Sequence, residues 1–365
     1  MNTVAVLRAL HASRQVTLRD LTKAIGVSRN TAEDAAVALV GAGLAEEFVP
    51  QTDERPVGRP AKWYRFRSEY GYVIGVDLAV HEVNVIVTDL AGSERARRSG
   101  PLDPQATTDD RARAAREVID SALGEAGIEK SQVLAVGAAI SGIVGPDGRV
   151  IRSGRLPQTA GCRLGDGLAV LPEVPVLVGN DARLATLAER WRSIGRTTDN
   201  FVHILAGRYV TSGIVVDGRV LQGVHGAAGE IGALPESRWQ EALSAMGGWP
   251  EDRESTVRAA AAGDADARAR IDEVAECLAT GIAALVLAVD PECVILSGGL
   301  SRAGQTLLGP LQSHLDAKTL VPIPIRLSTL GHDAVALGAV RFALDHVEQE
   351  LFDTDSARLI AALAP

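Results

Sequence analysis

Ser28-Arg29-Asn30-Thr31 opens a stretch that reads as a helix, and these residue types suit the edges of nucleic-acid bases. An arginine can donate two hydrogen bonds to guanine and an asparagine can pair with adenine, while the flanking hydroxyls serve either base. Farther along, Gly58-Arg59-Pro60 lies between two short apolar runs. One guanidinium at such a tip is drawn to a narrow minor groove by its negative potential. In the rest of the chain, Ser141-Gly142 ends the apolar run Ala135 to Ile140, where a hydroxyl beside a glycine can approach a ligand.

The elements that position the first group are legible from spacing. Val4, Leu7 and Leu10 recur at helical intervals, and Thr17-Leu18-Arg19-Asp20 reads as a capping box. The helix starting there turns Leu18, Leu21 and Ile25 inward and breaks at Gly26-Val27. Ser28 then caps a helix from Arg29 to about Val40, which Gly41 and Gly43 end. The sum is a helix-turn-helix whose second helix presents Ser28, Arg29, Asn30 and Thr31 to a major groove. Leu44 to Val49 and Lys62 to Arg67 read as two strands, with Pro50 to Ala61 as a wing carrying Arg59. Glu33 and Asp34 weigh against this reading, because carboxylates one turn from the base contacts repel phosphate unless they face solvent or cytosine N4. A small helical domain whose hairpin contacts protein is the alternative.

Charge is divided in the same sense. Residues 1–70 carry 10 Lys and Arg against 8 Asp and Glu, whereas the remainder carries 27 against 38. A formal charge of −9 excludes broad nonspecific affinity for nucleic acid, since each phosphate contact needs a cation, so any such binding is local. With 365 residues, 46% hydrophobic and 23% charged, the chain has the make-up of a soluble protein of two or three domains. Its longest apolar stretch, Cys277 to Val289, is shorter than a membrane span and reads as a buried helix. No secretion signal opens the chain, so the expected location is cytoplasmic, with no membrane partner. Cys162, Cys277 and Cys293 are too scattered for a zinc knuckle.

From Gly71 short apolar strands alternate with helices, which predicts α/β architecture in two similarly built halves. Tyr72 to Leu78 and Val83 to Leu90 read as a hairpin at a sheet edge; Val133 to Ile140 and Val174 to Val178 as buried strands; Phe201 to Leu205, Gly213 to Val216 and Cys293 to Leu296 as the second half.

A series of motifs then follows in order: Gly75-Val76-Asp77, Val178-Gly179-Asn180-Asp181-Ala182, Gly213 to Gly218, Gly226-Ala-Ala-Gly-Glu-Ile-Gly232, Pro291 to Ser301 and Asp333 to Ala339. With the N-terminal helix-turn-helix and wing, this series resembles the ROK family of repressors and sugar kinases over nearly the whole chain. The resemblance implies a two-lobed, actin-like ATPase fold with a sugar in the cleft and, in the kinases, ATP beside it. It sets the expected domains at 1–70 for a winged helix-turn-helix, 71–183 plus 345–365 for a small lobe, and 184–344 for a large lobe.

By the same resemblance Asp181 is the relic of the kinase base, Asn180 bonds a neighbouring sugar hydroxyl, and Glu230 holds the anomeric side. Asp181 also directly precedes a good helix, so capping alone accounts for it, and Glu230 reads equally as a solvated glutamate. Arg155, ahead of Leu156-Pro157, stands where relatives place a sugar-binding Asn; it selects a carboxylate or phosphate, or forms a surface salt bridge. The kinase turn Gly-Gly-Thr is here Ala79-Val80-His81, and β-branched Val80 does not readily take positive φ. The second turn, Gly207-Arg208-Tyr209-Val210-Thr211-Ser212-Gly213, sets bulky side chains where backbone must approach phosphate. Ala233 replaces the zinc-binding His, and Leu234 to Gly248 lack cysteine, so no metal and no cofactor are expected. Gly298 and Gly299 read as a tight strand-to-helix turn. The expected function is a DNA-binding regulator, a repressor, with a catalytically inactive sensor body. Its expected partners are operator DNA, a sugar-like effector and its own copies in a homodimer or homotetramer. An active ATP-dependent sugar kinase and a ligand-independent regulator are the alternatives.

Overall fold

The computed structural model describes residues 2–13, 15–50, 61–245 and 251–353. In the first domain α1 (Asn2–Ser13) buries Val4, Leu7 and Leu10. After β1 (Gln15–Thr17), Thr17 and Asp20 close a reciprocal capping box on α2 (Leu18–Ile25), whose end is the left-handed Gly26 at φ +68°. Ser28 caps α3 (Arg29–Gly41), accepting from the Thr31 amide at 3.2 Å. Strands β2 (Ala45–Phe48) and β3 (Trp63–Phe66) complete an antiparallel sheet in the order β1-β3-β2. The helix-turn-helix and both wing strands thus form where local spacing puts them, whereas β1, only three residues long, has no pattern of its own and forms by pairing with β3. Residues 51–60, which include Gly58-Arg59-Pro60, lie outside the described residues.

The first lobe is built on β4 (Tyr72–Leu78), β5 (Glu82–Asp89), β6 (Glu94–Pro101), α4 (Thr108–Ala126), β7 (Val133–Ile140), the short pair β8 (Ile143–Val144) and β9 (Val150–Arg152), and β10 (Val176–Asn180). Its sheet runs β10-β7-β4-β5-β6, with β10, β7 and β4 parallel and the other pairs antiparallel. The β4–β5 hairpin expected at an edge is therefore central, which explains why β4 is apolar on both faces. The edge is β6, whose Glu94, Arg95, Arg97 and Arg98 hide it from a hydrophobic pattern and blunt it against pairing with other chains.

Helix α5 (Asp181–Arg192) leads to the second lobe: β11 (Phe201–Ala206), β12 (Val210–Val216), β13 (Arg219–Val220), α6 (Trp239–Ala245), α7 (Glu251–Ala262), α8 (Ala265–Val289), β14 (Cys293–Ser297), α9 (Gln305–Asp316) and β15 (Ile325–Leu327). This sheet runs β13-β12-β11-β14-β15 and repeats the first one strand for strand, three antiparallel strands followed by two parallel ones. Cys277 to Val289 is the second half of α8, and most of its side chains enter the core beneath this sheet. Among the described residues no helix is long and apolar enough to cross a membrane.

The chain returns to the first lobe through α10 (Ala334–Leu351), which packs on β4, β7 and α5. The lobe boundaries expected at 183/184 and 344/345 run through α5 and α10 instead. The whole of α10 belongs against the first sheet because Gly75 and Gly137 leave room for its backbone: a Cβ on either would overlap a carbonyl oxygen, of Ala336 or of Ala339. Gly338 plays the same part against the Leu184 carbonyl of α5. Beneath α5, the buried His203 bridges the Thr186 hydroxyl at 2.9 Å and the Ser297 hydroxyl at 2.7 Å, so one imidazole ties α5 to both central strands of the second sheet.

Candidate functional site

Parallel α/β sheets bind ligands beyond the carboxyl ends of their strands. Here the ends of β4, β7 and β10 face the β11–β12 turn and the end of β14 across a cavity of about 680 Å³. The first lobe contributes Asp77, Ser141, Arg155 and Asp181. Ser141, Arg155 and Asp181 are three of the residues singled out from the sequence, and the fold brings them together.

Arg155 is the centre of this group. Its guanidinium stacks 3.7 Å from the Tyr209 ring centroid and donates to the Ser141 hydroxyl at 3.0 Å. The surface salt bridge open to Arg155 is thereby corrected: it reaches across the cleft, because an aromatic face on the opposite lobe holds a planar cation better than solvent does. Burial opposes its charge, while Asp181, Tyr209 and Glu230 favour it.

Asp181 is not the helix cap. Asn180 takes that place, its side-chain oxygen accepting from the Arg183 amide at 2.9 Å. The Asn180 side-chain nitrogen donates to the Gly142 carbonyl at 2.9 Å and the Glu230 carboxylate at 3.3 Å. Its side-chain amide donors are committed to the fold, and Asn180, Gly142 and Glu230 are not among the residues that line the cavity. Gly142 adopts φ +138°, and a Cβ there would come within 2.5 Å of the Arg152 carbonyl, so its glycine is required by the β8–β9 crossing. Asp181, one oxygen of which accepts from the Ala182 amide at 2.8 Å, faces the cavity, its carboxyl raised above the usual range by burial against the pull of Arg155. Burial and then the charge of Asp181 push Asp77 to about 7, so that it is a second carboxyl held toward its neutral form, one that the sequence marked only as the end of a motif. Burial and Asp181 likewise raise Glu230.

The two turns set apart in the sequence are Ala79-Val80-His81 and Gly207 to Gly213. Among the described residues Val80 is not in the positive-φ region, and its carbonyl and that of Ala79 point at Arg111. Arg111, fully buried on α4, also donates to the Asp103 and Pro104 carbonyls at 3.0 and 2.9 Å. This long-range clamp had no sequence signal. Arg111→Met should cost about 2 kcal/mol, the scale for stranding buried acceptors, read as a lower urea midpoint at constant m-value; an unchanged midpoint would remove the clamp. The second turn carries Arg208 and Tyr209 at the cavity, and Gly298, at φ +81° with the Ala206 carbonyl 2.6 Å from a built Cβ, is the tight turn expected. Among the described residues no three His, Cys, Asp or Glu converge as metal ligands.

On the first domain, Arg29 and Asn30 stand exposed at the start of α3. Ser28 and Thr31 are spent on each other, their hydroxyls 2.8 Å apart, and so act as the cap beneath that pair. Lys62 binds Glu33 at 2.7 Å, which neutralises one of the two acids counted against a nucleic-acid surface. Asp34 is solvent-exposed.

The sequence profile of the ROK family matches residues 73–248 and 238–346. The chain belongs to the ROK family. Among its ROK relatives, a glucokinase of Halalkalibacterium halodurans is 31% identical over 262 residues, covering 61% of this chain and 79% of that protein. A xylose repressor of Caldicellulosiruptor bescii is 20% identical over 94% of this chain and 95% of its own. A solved ROK family transcriptional regulator, a homologue of the E. coli MLC protein, superposes with a TM-score of 0.74 at 22% identity, covering 99% of this chain and 98% of that one. Of these three, the two that match over nearly the whole chain are a repressor and a transcriptional regulator, whereas the glucokinase matches a shorter part.

Proposed function

We propose that the protein is a DNA-binding transcriptional regulator, a repressor, whose kinase-derived body senses a small molecule and does not transfer phosphate. The observation that carries this reading is the first domain: exposed Arg29 and Asn30 on a capped helix, with Glu33 held by Lys62. Full-length similarity to a xylose repressor supports it. Stacking of Arg155 on Tyr209 beside Asp181, and Arg208 in the second turn, support a body without catalysis. Readers of this kind bind two half-sites about one DNA turn apart, so the working form is a homodimer or homotetramer. Closure of the lobes on a ligand changes the spacing of the two readers and shifts operator affinity by on the order of 1–3 kcal/mol.

Selection of genomic fragments by the purified protein, followed by salt titration, tests the reading. Arg29→Ala should weaken the best fragment by roughly 1–3 kcal/mol and relax its sequence preference. Failure to enrich any sequence would sink it and leave the first domain a protein-contact module.

Asp181 in the cavity and the glucokinase relative favour a second reading, an active sugar kinase. ADP release with a sugar panel, abolished in Asp181→Asn, would establish that reading in place of the first.

A further inference from the structure

Helix α3 buries Ala32, Ala35, Ala36 and Leu39 in the core of the first domain. The opposite face carries Asn30, Asp34 and Val37, and then Gly41 at the end of the helix, spaced so that they stand in one line. All four are exposed, and Val37 leaves 54% of its surface open. That valine does nothing for the fold. It gains no burial there, and as a β-branched residue it is a poorer helix former than the alanines around it.

Past Arg29 the helix has no lysine or arginine, so this face is unsuited to phosphate. The cations lie on α2, where Arg19 and Lys23 are exposed one turn apart, and in helix-turn-helix readers that first helix crosses the DNA backbone. An amide, a carboxylate and an isopropyl group in a row complement the floor of a major groove instead. The base edges there offer donors, acceptors and one apolar group, the 5-methyl of thymine. Helices lying in a major groove touch bases with residues at i, i+3, i+4 and i+7, which is the spacing of Asn30, Glu33, Asp34 and Val37. Glu33 is drawn aside by Lys62 at 2.7 Å, which leaves the other three for the groove. Ala38 and Gly41, exposed beside Val37, are too small to hold the helix off the base edges.

We propose that Val37 is a specificity-determining residue of the reader: its methyl groups pack on the 5-methyl of a thymine about three base pairs from the base that Asn30 contacts, since seven helical residues advance roughly 10 Å and one base step about 3.4 Å. The assignment rests on the first domain reading DNA and adds the kind of base edge that its apolar position selects.

The test uses the best-enriched genomic fragment as a labelled duplex, titrated with the full chain. Each thymine of the protected half-site is replaced in turn by deoxyuridine, which pairs alike and lacks only the methyl. One position should cost about 4-fold in affinity, the scale for burying one methyl group. Val37→Ala should weaken the unmodified duplex by at least as much and then lose nothing further when that thymine becomes deoxyuridine. Val40→Ala is the control: this valine, 36% exposed, lies on the flank one side of the line, and its loss should leave the response to the missing methyl intact. Alanine is the better helix former on an exposed face, so Val37→Ala should melt at or above the wild-type temperature. An enriched half-site that lacks thymine, that tolerates every deoxyuridine, or whose methyl Val37→Ala still senses overturns the assignment and leaves the DNA-binding reading standing. Failure to enrich any sequence removes both together, so the two failures are distinguishable.

Discussion

Gly338→Ala is expected to destabilise the protein by about 3 kcal/mol or more, the upper end for forcing volume into a packed core. The added methyl would overlap the Leu184 carbonyl of α5, and a backbone obstacle has no rotamer to retreat to. Neither helix can move aside. On its other face α10 lies against Gly75 and Gly137, where the same close approach brings its carbonyls onto β4 and β7. Gly124→Ala on α4 is the control, because nothing lies within 4 Å of its built Cβ; there alanine should add up to about 1 kcal/mol through helix propensity. Urea unfolding of both variants decides the matter. Equal midpoints would mean that α10 does not seat as closely as described.

Asp77→Asn is expected to stabilise the protein at alkaline pH and to flatten its stability profile. The folded carboxyl titrates at about 7, raised by burial and then by Asp181, with an Asn84 hydrogen bond opposing. Its unfolded value is near 3.9. The folded state therefore holds more protons than the unfolded state between those values, and stability declines as pH rises through that window, levelling above it. About three units of difference set a ceiling of about 4 kcal/mol at pH 8, recovered in the amide variant. Below pH 4 the two proteins should melt alike. A wild-type profile already flat between pH 5 and 8 would contradict the assignment.

What the sequence showed of this molecule was decided by distance along the chain. Thr17 with Asp20, Gly26, and Ser28 with Thr31 act within four residues, and each forms the cap or turn that its type specifies. Strand β6 was missed because an edge strand is free to be charged, and β4 was misplaced because pairing order is a property of the whole sheet. The site divides likewise. Ser141, Arg155 and Asp181 were visible as candidate ligand residues, whereas the stacking that decides between the two roles open to Arg155 was not, because its partner Tyr209 is 54 positions away. Of the two roles open to Asp181, the cap falls to Asn180 one residue earlier, a shift no spacing rule resolves.

The end of α10 ties the first domain to the last described residues. Leu7, Leu10 and Tyr64 share one continuous apolar cluster with Leu344, Val347 and Leu351. Arg8 donates to the Phe352 carbonyl at 2.9 Å, and the His11 ring sits edge-on to Phe66 and Phe352, 3.8 Å from Glu348. A cut at residue 70 therefore opens a packed surface although the chain itself is severed only once. For anyone building chimaeras, the transplantable unit is discontinuous: a reader moved to a new body must bring the closing turns of α10 with it, and the two ends of the chain must be exchanged as a pair.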